Sequence, residues 1–282
     1  MPSLILEGGT FRPIFSCGIM DALLEEGVMF PYIIGVSAGI SDGMSYVSRQ
    51  IGRNLEIAKK YRNDKRYIGL RNFRTQKSLF GLDFVFGEIP EHLVPFDWKT
   101  YQSYQGRMLV GVTNADTGNA EYLDGLESDK NFTMFRATCA LPLLFPAIEW
   151  GGNAYYDGGV ADPIPVRKAI ADGNETHLIV LTRPKGYEKK LERQSKLAAM
   201  RIAKTYPRLK ERILTRHIAY NETVAFCEQL EKEGRAILLR PDYALDSFEK
   251  DTSVLEESYQ HGYDMAKKQM ERIKKLFETP VK

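Results

Sequence analysis

A G-x-S-x-G pattern is the clearest candidate for chemistry in this chain. Residues 35–39 read Gly-Val-Ser-Ala-Gly and follow the apolar run 32–34. That order is typical of a strand, a sharp turn and a helix, in which the serine hydroxyl is exposed as a nucleophile. Gly35 and Gly39 keep the flanking positions free of side chains, as a tight turn at a strained serine requires. We therefore predict that Ser37 is a nucleophile.

An Asp-Gly-Gly motif lies about 120 residues further along, at 157–159. Gly158 and Gly159 let the backbone turn sharply after a predicted strand, which leaves the carboxylate of Asp157 facing a pocket. The same three residue types also occur in ordinary turns. The motif alone therefore does not decide between a catalytic carboxylate and a structural one.

The loop after the first predicted strand supplies main-chain NH groups. Ester hydrolysis needs hydrogen-bond donors for the developing oxyanion, and the amides of a glycine-rich loop commonly supply them. Gly8, Gly9 and Thr10 follow a strand that we expect beside the strand of Ser37. Glycine-rich turns also bind nucleotide phosphates, but this loop matches neither the dinucleotide pattern nor the P-loop pattern. Nucleotide binding is therefore not expected.

A serine nucleophile usually takes its base from histidine, often with an aspartate behind it. The four histidines are His92, His177, His217 and His261. None lies in a motif that resembles a catalytic loop, and we expect structural roles for all four. A triad of Ser37, Asp157 and one of the three later histidines would have the chain order of α/β-hydrolases, and this alternative stays open.

The elements that must position these residues alternate along the chain. Apolar segments at 3–6 and 32–36 predict buried strands, and a helical pattern follows each of them. This alternation predicts an α/β fold with a mainly parallel central sheet, covered by helices on both faces. Later segments predict a hairpin at 108–123, a hairpin turning at 151–153, strands at 178–181 and 236–239, a helical region at about 190–232 broken at Pro207, and an amphipathic last helix from about Leu255.

Residues 73–86 are rich in aromatic and aliphatic side chains. Such a segment could form a lid or the wall of an acyl-binding pocket. Scattered aromatic residues usually belong to a core, so we expect a packed loop.

Composition limits the class of protein. The chain has 282 residues, of which 43% are hydrophobic, enough for a large core in one domain. It contains no run of about 18 apolar residues that would span a membrane, and its first residues lack the pattern of a secretory signal. The three cysteines are widely spaced, fit no metal-binding pattern and favour a reducing compartment. We therefore expect a cytoplasmic protein.

Basic residues concentrate in one stretch, although the formal net charge is only +2. Residues 183–216 contain twelve Lys or Arg and only three Glu. The stretch could meet anionic lipid headgroups, which would place the protein at the inner face of a membrane. It could equally be the solvated face of surface helices, which is the simpler explanation. No aromatic-interleaved recognition module accompanies the charge, so a nucleic acid is not an expected partner.

Several segments together resemble the patatin-like phospholipase family. They are Leu-Glu-Gly-Gly-Thr-Phe-Arg at 6–12, the serine motif at 35–39, Arg-Ala-Thr-Cys-Ala-Leu-Pro at 136–142, and Asp-Gly-Gly at 157–159 with Asp-Pro-Ile-Pro-Val at 162–166. The resemblance covers roughly residues 3–182. It implies a patatin-like three-layer catalytic core at 1–182. We expect the remaining region, 183–282, to be helical with one further strand and to pack on the same domain.

The resemblance implies a hydrolase of acyl esters that uses a serine–aspartate dyad, without a metal, a cofactor or a catalytic histidine. Ser37 would be the nucleophile and Asp157 its general base. Phospholipids, lysophospholipids or neutral lipids would be the substrates. The sequence predicts no oligomeric state.

The resemblance also assigns roles around the first loop. The amides of Gly8, Gly9 and Thr10 would form the oxyanion hole. The amide of Ala38, which follows the nucleophile, would assist them. Arg12 matches the basic position of the family's loop and would support that loop.

Two positions depart from the family's loop. Thr10 stands where a third glycine is usual, and its amide stays a donor if the backbone angle suits a β-branched residue. Pro13 replaces a common glycine and has no amide proton to donate. If these changes disabled the loop, the protein would be a non-catalytic lipid- or protein-binding module of the same fold. This is the second alternative.

Overall fold

A mixed β-sheet forms the centre of the protein. The structure is a computed structural model that describes residues 1–278, so the last four residues of the predicted C-terminal region lie outside it. Within the described residues the sheet has eight strands. They are β1 (Pro2–Leu6), β2 (Tyr32–Val36), β3 (Arg107–Asn114), β4 (Ala120–Asp124), β5 (Ile148–Trp150), β6 (Asn153–Asp157), β7 (Thr176–Val180) and β8 (Ala236–Leu239).

Five of these strands run parallel, in the spatial order β3-β2-β1-β7-β8. The strands β4 and β6 both join β3 antiparallel, and β5 extends the sheet beyond β6. The two predicted hairpins are the pairs β3–β4 and β5–β6. The predicted α/β fold with a mainly parallel central sheet is therefore confirmed.

Helices connect most of the strands. The α-helices are α1 (Ile14–Glu25), α2 (Ser37–Val47), α3 (Arg53–Tyr61), α4 (Leu70–Gln76), α5 (Trp98–Gln102), α6 (Thr133–Thr138), α7 (Val166–Ala171), α8 (Arg193–Ile202), α9 (Pro207–Lys232) and α10 (Thr252–Lys275). The helix α1 starts directly after Pro13, and the break between α8 and α9 falls at Pro207, as predicted. Of the helices within residues 1–278, none is both long enough and apolar enough to cross a membrane.

The segment at 73–86 differs from the predicted loop. It contains the end of α4, a turn, and the start of a π-helix at Phe84–Leu93. A π-helix does not repeat every 3.6 residues, and Pro90 lies inside this one. The 3.6-residue periodicity that predicts α-helices therefore does not identify this segment.

Alternate residues of the strands pack against two separate cores, because successive side chains of a strand point to opposite faces. On one face, Leu4, Leu6 and Ile33 pack with residues of α1, α2 and α10. On the other face, Ile5 and Ile34 pack with residues of α7 and the second half of α9. The molecule is thus a three-layer sandwich, with helices covering both faces of the sheet.

The C-terminal region is joined to this sandwich at two places. The strand β8 pairs with β7, and α10 lies directly on α1. The two helices touch backbone to backbone, since a Cβ atom on Gly18 would lie 1.9 Å from the carbonyl oxygen of Tyr259. A Cβ atom on Gly262 would lie 2.0 Å from the carbonyl oxygen of Phe15. Larger side chains at these two glycines would push the helices apart.

Candidate active site

The carboxyl ends of three parallel strands meet at one edge of the sheet. Leu6, the last residue of β1, pairs with Gly35 of β2 on one side and with Val180 of β7 on the other. The first loop and Ser37 therefore emerge beside each other. Crevices at the carboxyl ends of strands are where α/β proteins commonly bind ligands.

Ser37 lies at a strained turn between β2 and α2. Its φ angle is 55°, in the left-handed region that non-glycine residues seldom adopt. The preceding Val36 is extended, and the helix begins at Ser37 itself, so the predicted strand, sharp turn and helix are present. Thr138 accepts a hydrogen bond from the Ser37 amide at 2.8 Å and donates one to the carbonyl oxygen of Gly111. This buried threonine therefore ties the turn to β3.

The register of β3 brings the distant aspartate to this turn. Gly111 of β3 pairs with Val36, and the next residue, Val112, pairs with Asp157 at the end of β6. The strand β6 therefore meets β3 just beyond the place where β2 ends. The neighbouring Gly158 is so close that a Cβ on it would lie 2.8 Å from Cγ1 of Val36.

Asp157 is almost fully buried, and burial raises the pKa of its carboxyl above the ordinary value. Three groups act in the opposite direction: the charge of Arg216, the nearby hydroxyl of Ser37, and the amide of Gly159. The Gly159 amide donates to Oδ1 at 2.8 Å. A buried carboxyl with a raised pKa beside the serine hydroxyl is better suited to take a proton than a free aspartate.

Arg216 is a site residue that the sequence did not single out. It lies on α9, half-buried, and its Nε donates a hydrogen bond to the carbonyl oxygen of Gly159. Nothing in its local sequence separates it from the other basic residues at 183–216. Thr138 was also missed, although it lies inside the quoted segment at 136–142. Only the folded geometry indicates that either residue supports the site.

The first loop, which packs beside Ser37, has unused NH groups. Within residues 1–278, the amides of Gly8, Gly9 and Thr10 have no hydrogen-bond acceptor. Gly8 packs tightly against Ser37, since a Cβ on Gly8 would lie 2.6 Å from Cβ of Ser37. Thr10 has a φ angle of 60°, which is strained for a β-branched residue. The loop thus has the donors that an oxyanion needs, and Thr10 adopts a backbone angle better suited to the glycine it replaces.

Arg12 fastens this loop to other parts of the chain. Its Nε donates to the hydroxyl of Thr182 at 3.2 Å, and its Nη1 donates to the hydroxyl of Ser247. The Thr182 hydroxyl in turn donates to the carbonyl oxygen of Gly8 at 3.0 Å. These contacts agree with the supporting role that the resemblance implies. Ala38, the other predicted donor, is the second residue of α2.

Two cavities meet at Ser37. The first, which we call the apolar pocket, has a volume of about 150 Å³. Its walls are mainly aromatic and aliphatic and include Phe11, Phe80, Leu82, Val85, Phe86 and Phe132. The second, which we call the polar cleft, has a volume of about 530 Å³. Its charged lining residues include Glu7, Arg12, Asp157, Arg183, Lys189 and Arg216.

The residues Thr10, Ser37 and Leu141 line both cavities. Ser37 therefore lies on the boundary between an apolar compartment and a charged one. Part of the aromatic segment at 73–86 belongs to the wall of the apolar pocket, as well as to the core.

None of the four histidines, all within the described residues, lines either cavity. His177 pairs with Ser3 at the opposite end of β7 from Val180, and its Nδ1 lies 2.8 Å from the Ser3 hydroxyl. Burial lowers the pKa of His177 to about 4. His261 packs against Phe15, with the two ring centres 5.4 Å apart. The triad alternative therefore has no histidine at the site.

Comparison with protein families gives two matches along the chain. The model of the patatin-like phospholipases matches residues 4–170, which is more than half of the chain. A model described as a domain of unknown function, DUF6363, matches residues 206–278.

Similar curated proteins include an uncharacterised protein and two enzymes. YjjU of Escherichia coli strain K12, an uncharacterised protein, is 24% identical over 188 residues, which are 64% of this chain and 52% of that protein. Lysophospholipase NTE1 of Debaryomyces hansenii is 27% identical over 180 residues, which are 60% of this chain and 11% of that enzyme. Lysophospholipase NTE1 of Coccidioides immitis is 22% identical, covering 99% of this chain and 18% of that enzyme.

This chain therefore spans about half of YjjU and a much smaller part of the two fungal enzymes. Among solved structures, VipD from Legionella pneumophila is similar with a TM-score of 0.48 and 13% sequence identity, covering 96% of this chain and 67% of VipD. The family model covers the first loop, the serine turn and the aspartate motif together. The chain belongs to the patatin-like phospholipase family.

Proposed function

We propose that this protein hydrolyses acyl esters of lipids through an acyl-serine intermediate, with Ser37 as the nucleophile and Asp157 as its general base. The observation that carries the proposal is the meeting of three features at one sheet edge: a strained serine, a buried carboxylate and a loop with unused NH groups. The family match and the two relatives named lysophospholipase support a lipid ester as the substrate.

In the proposed reaction, Oγ of Ser37 attacks the carbonyl carbon of the ester while its proton passes to Asp157. The amides of Gly8, Gly9 and Thr10 bind the negative oxygen of the tetrahedral intermediate. Asp157 then gives the proton to the leaving alcohol, and an acyl-serine remains. Water repeats the same steps, with Asp157 again taking a proton, and releases the fatty acid.

The pKa of Asp157 decides whether it can act as a base near neutral pH. A free aspartate has a pKa of about 3.9, roughly three units too low for an efficient base. Burial raises the pKa of Asp157, which brings its basicity closer to the working pH. Because only the ionised carboxylate can take the proton, activity falls as the pH drops below this pKa.

The two cavities fit the two halves of an ester. The apolar pocket would take the acyl chain, because its walls are aromatic and aliphatic. Its volume of about 150 Å³ is similar to that of an engineered cavity that holds benzene, so a chain of about six carbons fits it. The polar cleft would take the alcohol part of the ester.

The nucleophile is tested by comparing Ser37→Ala with Ser45→Ala. Both serines are buried on α2, but Ser45 lines neither cavity. We expect Ser37→Ala to abolish hydrolysis of p-nitrophenyl butyrate and labelling by a fluorophosphonate. Ser45→Ala should keep both, after correction for any loss of folded protein. Labelling at a serine other than Ser37 would contradict the assignment.

The base is tested by comparing Asp157→Asn with Asp162→Asn. Burial raises the pKa of both carboxyl groups, but Asp162 is half-buried, accepts a hydrogen bond from Tyr122 and lines neither cavity. Removing a general base typically costs about 10²–10⁴-fold in rate, so we expect a loss of that size only in Asp157→Asn. Full activity of this variant would refute the dyad.

The two alternatives make different predictions in the same assays. In a triad, replacing His177, His217 or His261 by Gln would abolish hydrolysis, whereas the dyad predicts activity in all three variants. A binding module would show neither turnover nor labelling of Ser37 in the unaltered protein.

A further inference from the structure

Four cations surround the polar cleft beside Ser37. They are Arg12, Arg183, Lys189 and Arg216, and all four are half-buried. Among the ion pairs of residues 1–278, none involves any of these four side chains. Three of them belong to the basic stretch at 183–216, whose purpose neither the family match nor the dyad explains.

Aromatic rings and main-chain contacts hold these cations in place without neutralising them. The guanidinium of Arg183 lies 4.5 Å from the ring centre of Tyr187, and Nζ of Lys189 lies 5.5 Å from that of Tyr220. Asn221 of α9 fixes the backbone of Lys189, accepting from its amide at 2.9 Å and donating to its carbonyl at 3.0 Å. The cations are therefore positioned by the fold rather than free in solvent.

Three carboxylates of the cleft, Glu7, Asp157 and Glu192, face these four cations, so the charge is only partly balanced. Glu7 also accepts the amide of Thr182 at 2.6 Å, and Asp157 accepts the amide of Gly159. Glu192 is exposed at the rim.

The cations also repel one another. The pKa of Lys189 is lowered to about 8, first by burial and then by Arg216, with smaller contributions from Arg12 and Arg183. Glu192 acts in the opposite direction. A bound anion would relieve this repulsion, because it would give each cation a partner in a partly desolvated site.

We propose that Arg183, Lys189 and Arg216 form an anion subsite that receives a phosphate or carboxylate group on the alcohol part of the ester. The proposal rests on the proposed function, because it assigns the alcohol to the polar cleft. Guanidinium groups suit such a ligand, since they bind phosphate and carboxylate with two parallel hydrogen bonds. Arg216 lies in the segment matched to the domain of unknown function, so this segment contributes directly to substrate binding.

The subsite is tested with a pair of substrates that differ only in a phosphate group, monobutyryl glycerol 3-phosphate and monobutyrin. We expect the unaltered protein to have the higher kcat/KM for the phosphate ester. A hydrogen bond to a charged group typically stabilises by about 1.5–3 kcal/mol, so losing one should lower the ratio of the two kcat/KM values by roughly 10–100-fold. That loss is expected in Lys189→Met and, separately, in Arg183→Met.

Lys196→Met is the matched control. Lys196 belongs to the same basic stretch, but it is exposed on α8 and lines neither cavity. Its removal should leave the ratio unchanged. Equal ratios in the unaltered protein, Lys189→Met and Arg183→Met would overturn the subsite. An equal fall of the ratio in Lys196→Met would overturn it too, because a diffuse surface charge would then explain the preference.

Calorimetric binding to Ser37→Ala separates this inference from the proposed function, because it needs no turnover. Glycerol 3-phosphate and inorganic phosphate are titrated separately. Tighter binding of glycerol 3-phosphate assigns the subsite to a headgroup, and equal binding assigns it to free phosphate. No binding of either ligand overturns the subsite, even if p-nitrophenyl butyrate is hydrolysed. Binding without any hydrolysis by the unaltered protein would leave the subsite standing and refute the proposed function.

Discussion

The apolar pocket and the polar cleft share Ser37 but are built from different parts of the chain. The residues that line the pocket lie between Thr10 and Phe145, inside the segment matched by the family model. The cleft also takes residues from the C-terminal region, from Arg183 to Phe248. Under the proposed function, the family core recognises the acyl chain, and the C-terminal region helps to recognise the alcohol.

This difference has a physical cause. An acyl chain has no polar group to recognise, so a closed pocket of apolar side chains suffices. Alcohols differ in charge and hydrogen-bonding groups. An alcohol part that carries an anionic group is recognised by cations that are fixed in position. The basic stretch at 183–216 provides such cations, and α9 carries one of them to the active site. Substitutions in the two cavities should therefore affect different properties of the substrate.

Among the substitutions that test this difference, Ala58→Leu should have the largest effect, because it fills part of the apolar pocket. Ala58 lies on α3 and lines that pocket, so three added carbon atoms would occupy space that the acyl chain needs. A single methylene in an apolar pocket changes specificity by about 10–200-fold. We expect the ratio of kcat/KM for p-nitrophenyl hexanoate to that for the acetate to fall by roughly 10–100-fold.

Ala198→Leu is the matched control, because Ala198 lines the polar cleft and is similarly buried. It should leave the hexanoate-to-acetate ratio nearly unchanged. An equal fall of the ratio in both variants would contradict the assignment of the two cavities, since the acyl chain would then not be confined to the apolar pocket.

The mainly apolar walls of the apolar pocket also include one carboxyl group. Asp42 lines it close to Arg53, and burial raises the pKa of Asp42 to about 7. Between the unfolded pKa and this value the folded state binds more protons, so stability falls as the pH rises through that window. Replacing Asp42 by Asn removes this dependence. We expect the unfolding free energy of Asp42→Asn, relative to the unaltered protein, to rise by roughly 4 kcal/mol between about pH 4 and about pH 8.

Thermal unfolding of both proteins over this pH range measures the difference. The other buried aspartates with raised pKa values, Asp21, Asp157 and Asp162, are present in both proteins and cancel in the comparison. A difference in unfolding free energy that does not change with pH would show that the Asp42 carboxyl titrates normally in the pocket.

In the polar cleft, Arg216→Met should shift the pH–activity profile of hydrolysis. The charge of Arg216 lowers the pKa of Asp157, so its removal raises that pKa further. Because the base must be ionised, the acid limb of the profile shifts to higher pH. Activity toward a neutral ester therefore falls at pH values on that limb and stays the same on the plateau.

Arg212→Met provides the control, one helical turn away on α9. Arg212 donates to the carbonyl oxygen of Gly118 and lines neither cavity. Its loss should leave the acid limb in place. If Arg216→Met lowered the rate equally at every pH, the arginine would only support the backbone at Gly159.

The sequence predicts the residues whose type is dictated by the backbone. Ser37 was recognisable because a strained turn favours glycine at the flanking positions 35 and 39, and the mainly parallel sheet followed from alternating apolar segments. Arg216 and Thr138 were not, because their roles depend on where α9 and α6 pack, and many basic or hydroxyl residues would look the same. The polar cleft could not be predicted either, since it combines residues from opposite ends of the chain.

Thr10 stands where the family's loop usually has a glycine. Replacing it should give the smallest effect among these substitutions. It lines both cavities, and its φ angle of 60° is costly for a β-branched residue. Thr10→Gly should therefore stabilise the protein by about 1 kcal/mol, or raise Tm by about 2–4 °C. It should also keep hydrolysis within about twofold, because the amide donor remains.

Lys77→Gly, at an exposed residue with φ of 53°, measures the general effect of glycine at such an angle and should stabilise less. A drop in both Tm and activity in Thr10→Gly alone would mean that the threonine side chain, not only its amide, holds the boundary between the two cavities.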